Sequence, residues 1–401
     1  MVLCSARFIK TAVQVMPWPI TFRLMSDFDM RYNEACCVHE GVDPFEVWRG
    51  EVKDSRYEPW SFAKLRSKDV DFSRFIHAYP PWEYTCMLPF VGLERRSAET
   101  VFMVMMFSGL LALSCGWFCV GYRKFGRLCW GLLLLAFCWG QASPVTACLV
   151  YGNFGIWIAV AVAVALYCHV RKWDGWAGVF WALAMVKPQV ATIFLVPLLL
   201  LRKWRTLAVW GSLLLGMTLI PSLLCRTSPV DLVLCIRQYS AEQFSRTGFI
   251  GKPIFVSLVQ DGGISPSLLS GASALAGGVI CVVCTALVLK RRSKDDGLEK
   301  LSAFVPALVL STIWTASRIH DFCIQSVTAP LLMLFAIQTR DRWSRFFAVL
   351  LSVGVSMMFW DQYQSGLVNV CSMLCVVLLV VYCYRISVGG DRAAERESPN
   401  V

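Results

Sequence analysis

Apolar residues fall in long blocks along the chain, with short, mostly basic connections between them. The blocks cover approximately 101–121, 128–149, 154–170, 176–201, 206–224, 267–289, 301–316, 321–337, 345–360 and 366–384. As helices rising about 1.5 Å per residue, each crosses or nearly crosses roughly 30 Å of hydrocarbon. Small residues such as Gly271, Ala274, Gly277 and Gly278 suit close helix contact in lipid. The pattern predicts an all-α fold, a transmembrane helical bundle of about ten or eleven spans. An earlier block, 8–25, is interrupted by Lys10, Pro17, Pro19 and Arg23. It reads as a distorted first helix, an interfacial helix, or the remnant of a span.

The connections set an orientation. Basic residues gather at Arg123, Lys124 and Arg127, at Arg171 and Lys172, at Arg202, Lys203 and Arg205, and at Lys290 through Lys294. Two more groups are Arg340, Arg342 and Arg345, and Arg385. The positive-inside rule assigns them to the cytoplasm. The alternate connections, 25–98, 150–153, 225–265, 317–321 and 360–365, then face out. The segment 173–202 is basic at both ends, so its middle must reach outward and return. Lys187-Pro188-Gln189 stands at that midpoint, where proline removes a helix hydrogen bond and favours an extended residue before it. A proline-broken helix hairpin is the expectation. The organisation reads as a first membrane segment, 1–25; an outer loop with short amphipathic helices, 26–98; the bundle, 99–385; and a polar tail, 386–401, expected to be disordered.

Composition agrees. The 401 residues are 57% apolar and only 16% charged, with a mean hydropathy of +0.57, more apolar than one water-soluble core can bury. A disordered, collagenous or disulfide-built secreted chain is excluded. The net charge of +11 is accounted for by boundary lysines and arginines that meet anionic headgroups, without nucleic acid. Most of the eighteen cysteines lie in apolar blocks and behave as small hydrophobes. The Cys281–Cys284 pair has no second pair and no histidine beside it, which speaks against a metal. Cys36, Cys37 and Cys86 lie in the outer loop, where they could oxidise. No nucleotide-phosphate loop, HExxH zinc motif or GxSxG nucleophile elbow occurs.

Polar groups at membrane depth are costly, and the orientation gathers several on one side: Asp27, Asp29, Lys187, Gln189, Arg318, His320 and Asp321. A carboxylate there could take a proton from an attacking hydroxyl. Lysine, arginine or histidine could balance a phosphate leaving group. Plainer roles are open to the same residues. Asp27 could cap a helix that begins near Phe28, Lys187 could snorkel or pair with an acid, and His320-Asp321 could be an ordinary turn.

The order of these elements resembles glycosyltransferase family 87, integral membrane enzymes of the GT-C class. Asp27 opens DFDMRYNEACCVHEGVDPF, similar to the family's Asp followed by Gly-x-Asp-Pro-Tyr. Tyr79-Pro80-Pro81-Trp82 resembles its YPP element. Gly152-Asn153 stands where the family usually has Gly-Gln, so asparagine has the shorter reach. Ala177-Gly178 with Lys187-Pro188 resembles its AG…KP element, and the basic RKW at 202–204 follows. Trp314 through His320-Asp321 resembles its late outer turn.

The resemblance implies a polyprenyl-phosphate monosaccharide donor, mannose above all, and a hydroxyl acceptor on a glycolipid or glycan at the outer face of the cell (inner) membrane. It implies hexosyl transfer with inversion, Asp27 as general base, and neither metal nor cofactor. Tyr79, Asn153, Lys187, Gln189, Arg318, His320 and Asp321 are the implied binding residues for the phosphate and sugar. Two rivals stand beside it. A transporter or lipid flippase also uses a charged residue at a broken helix, but no similar halves are evident here. A polysaccharide polymerase or ligase would not require Asp27.

Overall fold

Helix is the only regular secondary structure among the described residues, as long apolar blocks without strand-bounding turns dictate. The computed structural model describes residues 26–49, 80–139, 142–234, 266–290, 301–311, 313, 323–339, 341–357 and 372–387. The expected first segment 1–25, most of the connection 225–265, and the tail beyond 387 lie outside them.

Two short helices, α1 (Ser26–His39) and α2 (Pro44–Arg49), precede α3 (Pro81–Val91). Then comes α4 (Arg95–Phe125), whose 31 residues span roughly 46 Å. It ends where Gly126 turns left-handed and its N–H returns to the Tyr122 carbonyl. The expected span 128–149 forms two helices, α5 (Leu128–Trp139) and α6 (Ala142–Tyr151). Pro144 falls in the first turn of α6, where a missing N–H leaves no extra hydrogen bond unmade. After α7 (Gly155–Val170) the broken segment follows as α8 (Asp174–Ala184), α9 (Pro188–Ala191), a 3-10 turn (Thr192–Phe194) and α10 (Leu195–Leu200). The rest comprises α11 (Trp204–Cys225), α12 (Pro266–Lys290), α13 (Val305–Leu310), α14 (Gln325–Gln338), α15 (Arg342–Met357) and α16 (372–387).

Among the described residues, three helices are long and apolar enough to cross a membrane: Arg95–Phe125, Trp204–Cys225 and Gly271–Lys290. Shorter apolar helices, α7 and α14 among them, pack beside these. Large apolar side chains such as Leu111, Leu215, Leu223, Leu275 and Val377 point outward. A helical bundle with an apolar exterior and a packed interior is the membrane solution, because each helix satisfies its own backbone. The protein is an all-α helical membrane protein.

The broken segment is closed at its base. The Lys203 ammonium meets the Asp174 carboxylate at 2.8 Å, and the Thr206 hydroxyl donates to the Asp174 carbonyl at 3.0 Å. Residues 174 and 203 therefore lie together, and the chain between them leaves and returns as its two basic ends require. Trp173, Trp176 and Trp204 are exposed at this end, as at a membrane–water boundary. Gly178 lets α8 press onto α11. A Cβ at this position would lie 2.7 Å from the Thr206 carbonyl oxygen and 2.8 Å from the Val209 Cβ.

At the opposite end of α11, the α1–α2 turn docks. Gly41 is left-handed (φ +75°), and a Cβ there would come within 3.1 Å of the Leu224 carbonyl. Asp43 accepts the Phe45 N–H at 2.8 Å through one carboxylate oxygen, while the Thr227 hydroxyl donates to the other at 3.1 Å. Pro44 opens α2. The Gly-x-Asp-Pro sequence is thus a helix start fitted to the end of α11.

Candidate active site

Helix α1 does not float on a surface with one wet face, as its amphipathic reading would have it. Residues 28–38 are buried throughout. Phe28 explains the depth, because its ring lies against Tyr32, Phe90 and Phe102, and Phe102 meets Phe154. The Tyr32 hydroxyl donates to the Leu93 carbonyl at 2.9 Å. This aromatic cluster fixes the first turn of α1 against α3, α4 and the start of α7.

That turn carries two acids with different surroundings. Asp29 is buried and held by the Arg95 guanidinium at the start of α4. Asp27 is only half-buried. Its carboxylate accepts a hydrogen bond from the Asn153 amide at 2.6 Å. The other amide atom of Asn153 accepts the Gly155 N–H at 3.2 Å, so both ends of this side chain are used. Local sequence aims it. Gly152 takes the left-handed conformation (φ +66°) after α6, and the Asn153 N–H returns to the Cys148 carbonyl at 2.9 Å, the six-to-one bond of a glycine-closed helix.

Below Asp27 the polar face of α1 continues at helical spacing through Arg31 and Glu34. Both are buried and joined as an ion pair. From α3, the Glu83 carboxylate lies 3.8 Å from the Arg31 guanidinium. Glu83 is fully enclosed, and among the described residues neither of its oxygens has a hydrogen-bond partner. Burial pushes its carboxyl well above the usual carboxylate range. The charges of Arg31 and Lys187 oppose that shift, and those of Glu34 and Asp27 add to it. The neighbouring Tyr84 hydroxyl is likewise buried without a hydrogen bond among the described residues, and its pKa is raised by burial first.

Lys187 reaches this cluster from the helix break. Its backbone is extended (φ −118°, ψ 86°), as a residue before proline must be, and its side chain is completely buried. Half a hairpin of 11 residues places the break roughly 16 Å from the closed base, about half of the hydrocarbon thickness. The break leaves carbonyls without the usual helical donors. The indole N–H of Trp82 donates to one of them, Met185, at 2.6 Å. The YPPW and KP elements, about a hundred residues apart, are joined by this bond.

Asp27 and Asn153 thus meet directly, the charges of Asp27 and Lys187 both act on Glu83, and half-buried Gln189 follows at the start of α9. Tyr79, Arg318, His320 and Asp321 lie outside the described residues. Sequence reasoning did not single out Arg31, Glu34 or Glu83 as site residues. The available signals were the spacing of Asp27, Arg31 and Glu34, and an acid placed directly after the YPPW element in an apolar stretch. Cys36 and Cys37 are buried and Cys86 is half-buried.

The family model of Glycosyltransferase family 87 matches residues 75–317, more than half of the chain. The match takes in Glu83, Asn153 and Lys187 and begins after α1. No curated protein and no solved structure matches the chain. The chain belongs to glycosyltransferase family 87 and is a membrane glycosyltransferase.

Proposed function

We propose that this enzyme moves a monosaccharide, mannose in our reading, from a polyprenyl-phosphate donor to a hydroxyl of a glycolipid or glycan. The reaction takes place at the extracytoplasmic face of the cell membrane. The observation that carries this reading is the carboxylate of Asp27, oriented by Asn153 and half-open, beside a buried cluster that holds the cations Lys187 and Arg31. Asp27 takes the acceptor hydroxyl proton as its oxygen attacks the anomeric carbon. The bond from that carbon to the phosphate oxygen breaks, the configuration inverts, and polyprenyl phosphate leaves with the bonding pair. Lys187, with Arg318 and His320 from the late outer turn, balances the charge that grows on the phosphate. Gln189, Tyr79 and Asp321 complete the sugar and phosphate contacts.

The proposed sidedness is supported by the fold and the charges together. The α1–α2 turn docks at the end of α11 opposite Lys203 and Asp174. The positive-inside rule assigns the Lys203 end to the cytoplasm. A transporter would use the same broken helix, but membership in a glycosyltransferase family favours transfer. The test is purified protein with a short-chain polyprenyl-phosphate mannose and a glycolipid acceptor. Release of lipid phosphate with formation of the glycosylated product is expected. Translocation of lipid without any product would overturn the proposal.

A further inference from the structure

The enclosed charges next to Asp27 are unequal. Arg31 and Lys187 supply two positive groups. Asp27, Glu34 and Glu83 supply three carboxyls, of which Glu34 is paired with Arg31 and Asp27 is bonded to Asn153. Among the described residues Glu83 is left with the weakest support: a guanidinium nitrogen at 3.8 Å, no hydrogen bond on either oxygen, and no exposed surface. An ionised carboxylate so placed depends on the nearby cations.

We infer that binding of the phosphate donor drives Glu83 to take up a proton, so that donor affinity is coupled to pH through this residue. The inference rests on the donor reading above, in which Lys187 meets the donor phosphate. The Trp82 indole, one residue before Glu83, is bonded to the Met185 carbonyl, two residues before Lys187, and Lys187 is one of the two cations that favour ionised Glu83. A phosphate engaged with Lys187 removes part of that support and adds a like charge close by, and both changes favour the neutral acid. The proton comes from solvent, which reaches the partly exposed Asp27. By reciprocity, a proton on Glu83 strengthens donor binding by the same factor. Transfer itself leaves the balance unchanged, because the negative charge that Asp27 loses on accepting the acceptor proton appears on the departing phosphate. Glu83 is therefore a positioning residue, acting through Lys187 without touching the reacting atoms.

The groups around Glu83 are defined. From α1 they are Asp27, Arg31 and Glu34; from the helix break, Lys187. On its own helix they are Tyr84 and Cys86, whose pKa values burial raises first. Helix α11 carries ionisable side chains only near its ends, Arg205 and Cys225. At the start of α4, Arg95 and Glu99 are engaged with Asp29 and with each other.

The probe is a short-chain polyprenyl-phosphate mannose, a phosphodiester that does not itself titrate near neutral pH. Its binding to full-length protein in nanodiscs is measured by calorimetry in pairs of buffers with different ionisation heats, from pH 6 to 9. We expect proton uptake by the wild-type protein, and an affinity that falls by up to about tenfold per pH unit above the ionisation of free Glu83. Glu83→Gln should bind with no uptake and a flat pH profile. Glu83→Met is a second neutral replacement should the amide fail to fold. Wild-type binding without uptake, or a neutral variant that keeps the slope, overturns the coupling alone. In the second case the titration belongs to another group, such as His320. No binding at any pH, by either protein, overturns the donor reading and the coupling with it.

Discussion

Removing the hydrogen bond between Asn153 and Asp27 gives the most direct measure of how the proposed base, Asp27, is held. Asn153→Ala deletes an amide donor 2.6 Å from a carboxylate oxygen. A hydrogen bond to a charged group contributes about 1.5–3 kcal/mol. If the bond serves to aim Asp27, that energy appears in the barrier as a loss of about 10- to 150-fold in turnover. The same change removes the acceptor for the Gly155 N–H at the start of α7, which affects stability rather than chemistry. Asn153→Asp separates the two effects. It keeps that acceptor and the side-chain shape, yet removes the donor and sets a like charge against Asp27. It should lose at least as much turnover as alanine while keeping more of the melting temperature. The assay is initial rate at saturating donor, with Asp27→Asn as reference, where loss of a general base lowers the rate about 10²- to 10⁴-fold. In the double variant Asp27→Asn/Asn153→Ala the second change should add almost nothing, because the group it orients is gone. The reasoning fails if Asn153→Ala turns over within twofold of wild type, or if the two losses multiply.

Three further outcomes follow from the same contacts. Asp29→Asn loses its ionic bond to Arg95 and should lower stability by about 1.5–3 kcal/mol with turnover of the folded fraction unchanged; a selective loss of turnover would show that Asp29, not Asp27, serves as the base. Trp82→Phe leaves the Met185 carbonyl without its donor and should destabilise by about 1–3 kcal/mol, read as a fall in melting temperature; an unchanged melting temperature refutes the capping role. Gly178→Val drives side-chain atoms into α11 and should cost about 1–3 kcal/mol or more. Gly175→Ala, where a Cβ meets nothing within 4 Å, should be neutral, and equal effects at the two positions would refute the close-packing argument.

Much of the bundle was legible in the sequence because lipid imposes one dominant rule: apolar blocks of sufficient length become helices. The break at Lys187-Pro188 was equally legible, since proline acts locally. The depth of α1 was not. Its sequence mixes Asp29, Arg31, Asn33 and Glu34 with apolar residues and reads as a surface helix. Arg31 and Glu34 pair locally on one helix, but only the tertiary arrangement supplies Arg95 for Asp29 and the aromatic cluster that draws Phe28 inward. The partner of Asp27 was visible as a residue but not as a partner, because 126 positions separate it from Asn153. Glu83 escaped notice for the opposite reason. An acid near the start of a short helix is ordinary in a sequence, and it becomes exceptional only once its enclosure is known.

The dispersed motifs gain their meaning from one another. The YPPW tryptophan caps a carbonyl that the KP element frees. The glycine before Asn153 closes α6 so that the amide meets Asp27. The Gly-x-Asp-Pro turn seats α1 on the end of α11. Each is weak as a signal because a proline, a glycine or a tryptophan alone has many uses. Together they solve one physical problem: holding a polar, charged helix inside a membrane bundle without leaving its groups unpaired. Burying α1 carries a large desolvation penalty, which the ion pairs and the aromatic contacts offset. Asp27 and Glu83 are two acids of this region with contrasting surroundings. One is partly open, and the other is enclosed with only the cations Arg31 and Lys187 to favour its ionised form. If Asp27 is the base, as proposed, the chemistry lies at the open acid, and the enclosed one, through Lys187, responds to what occupies the site.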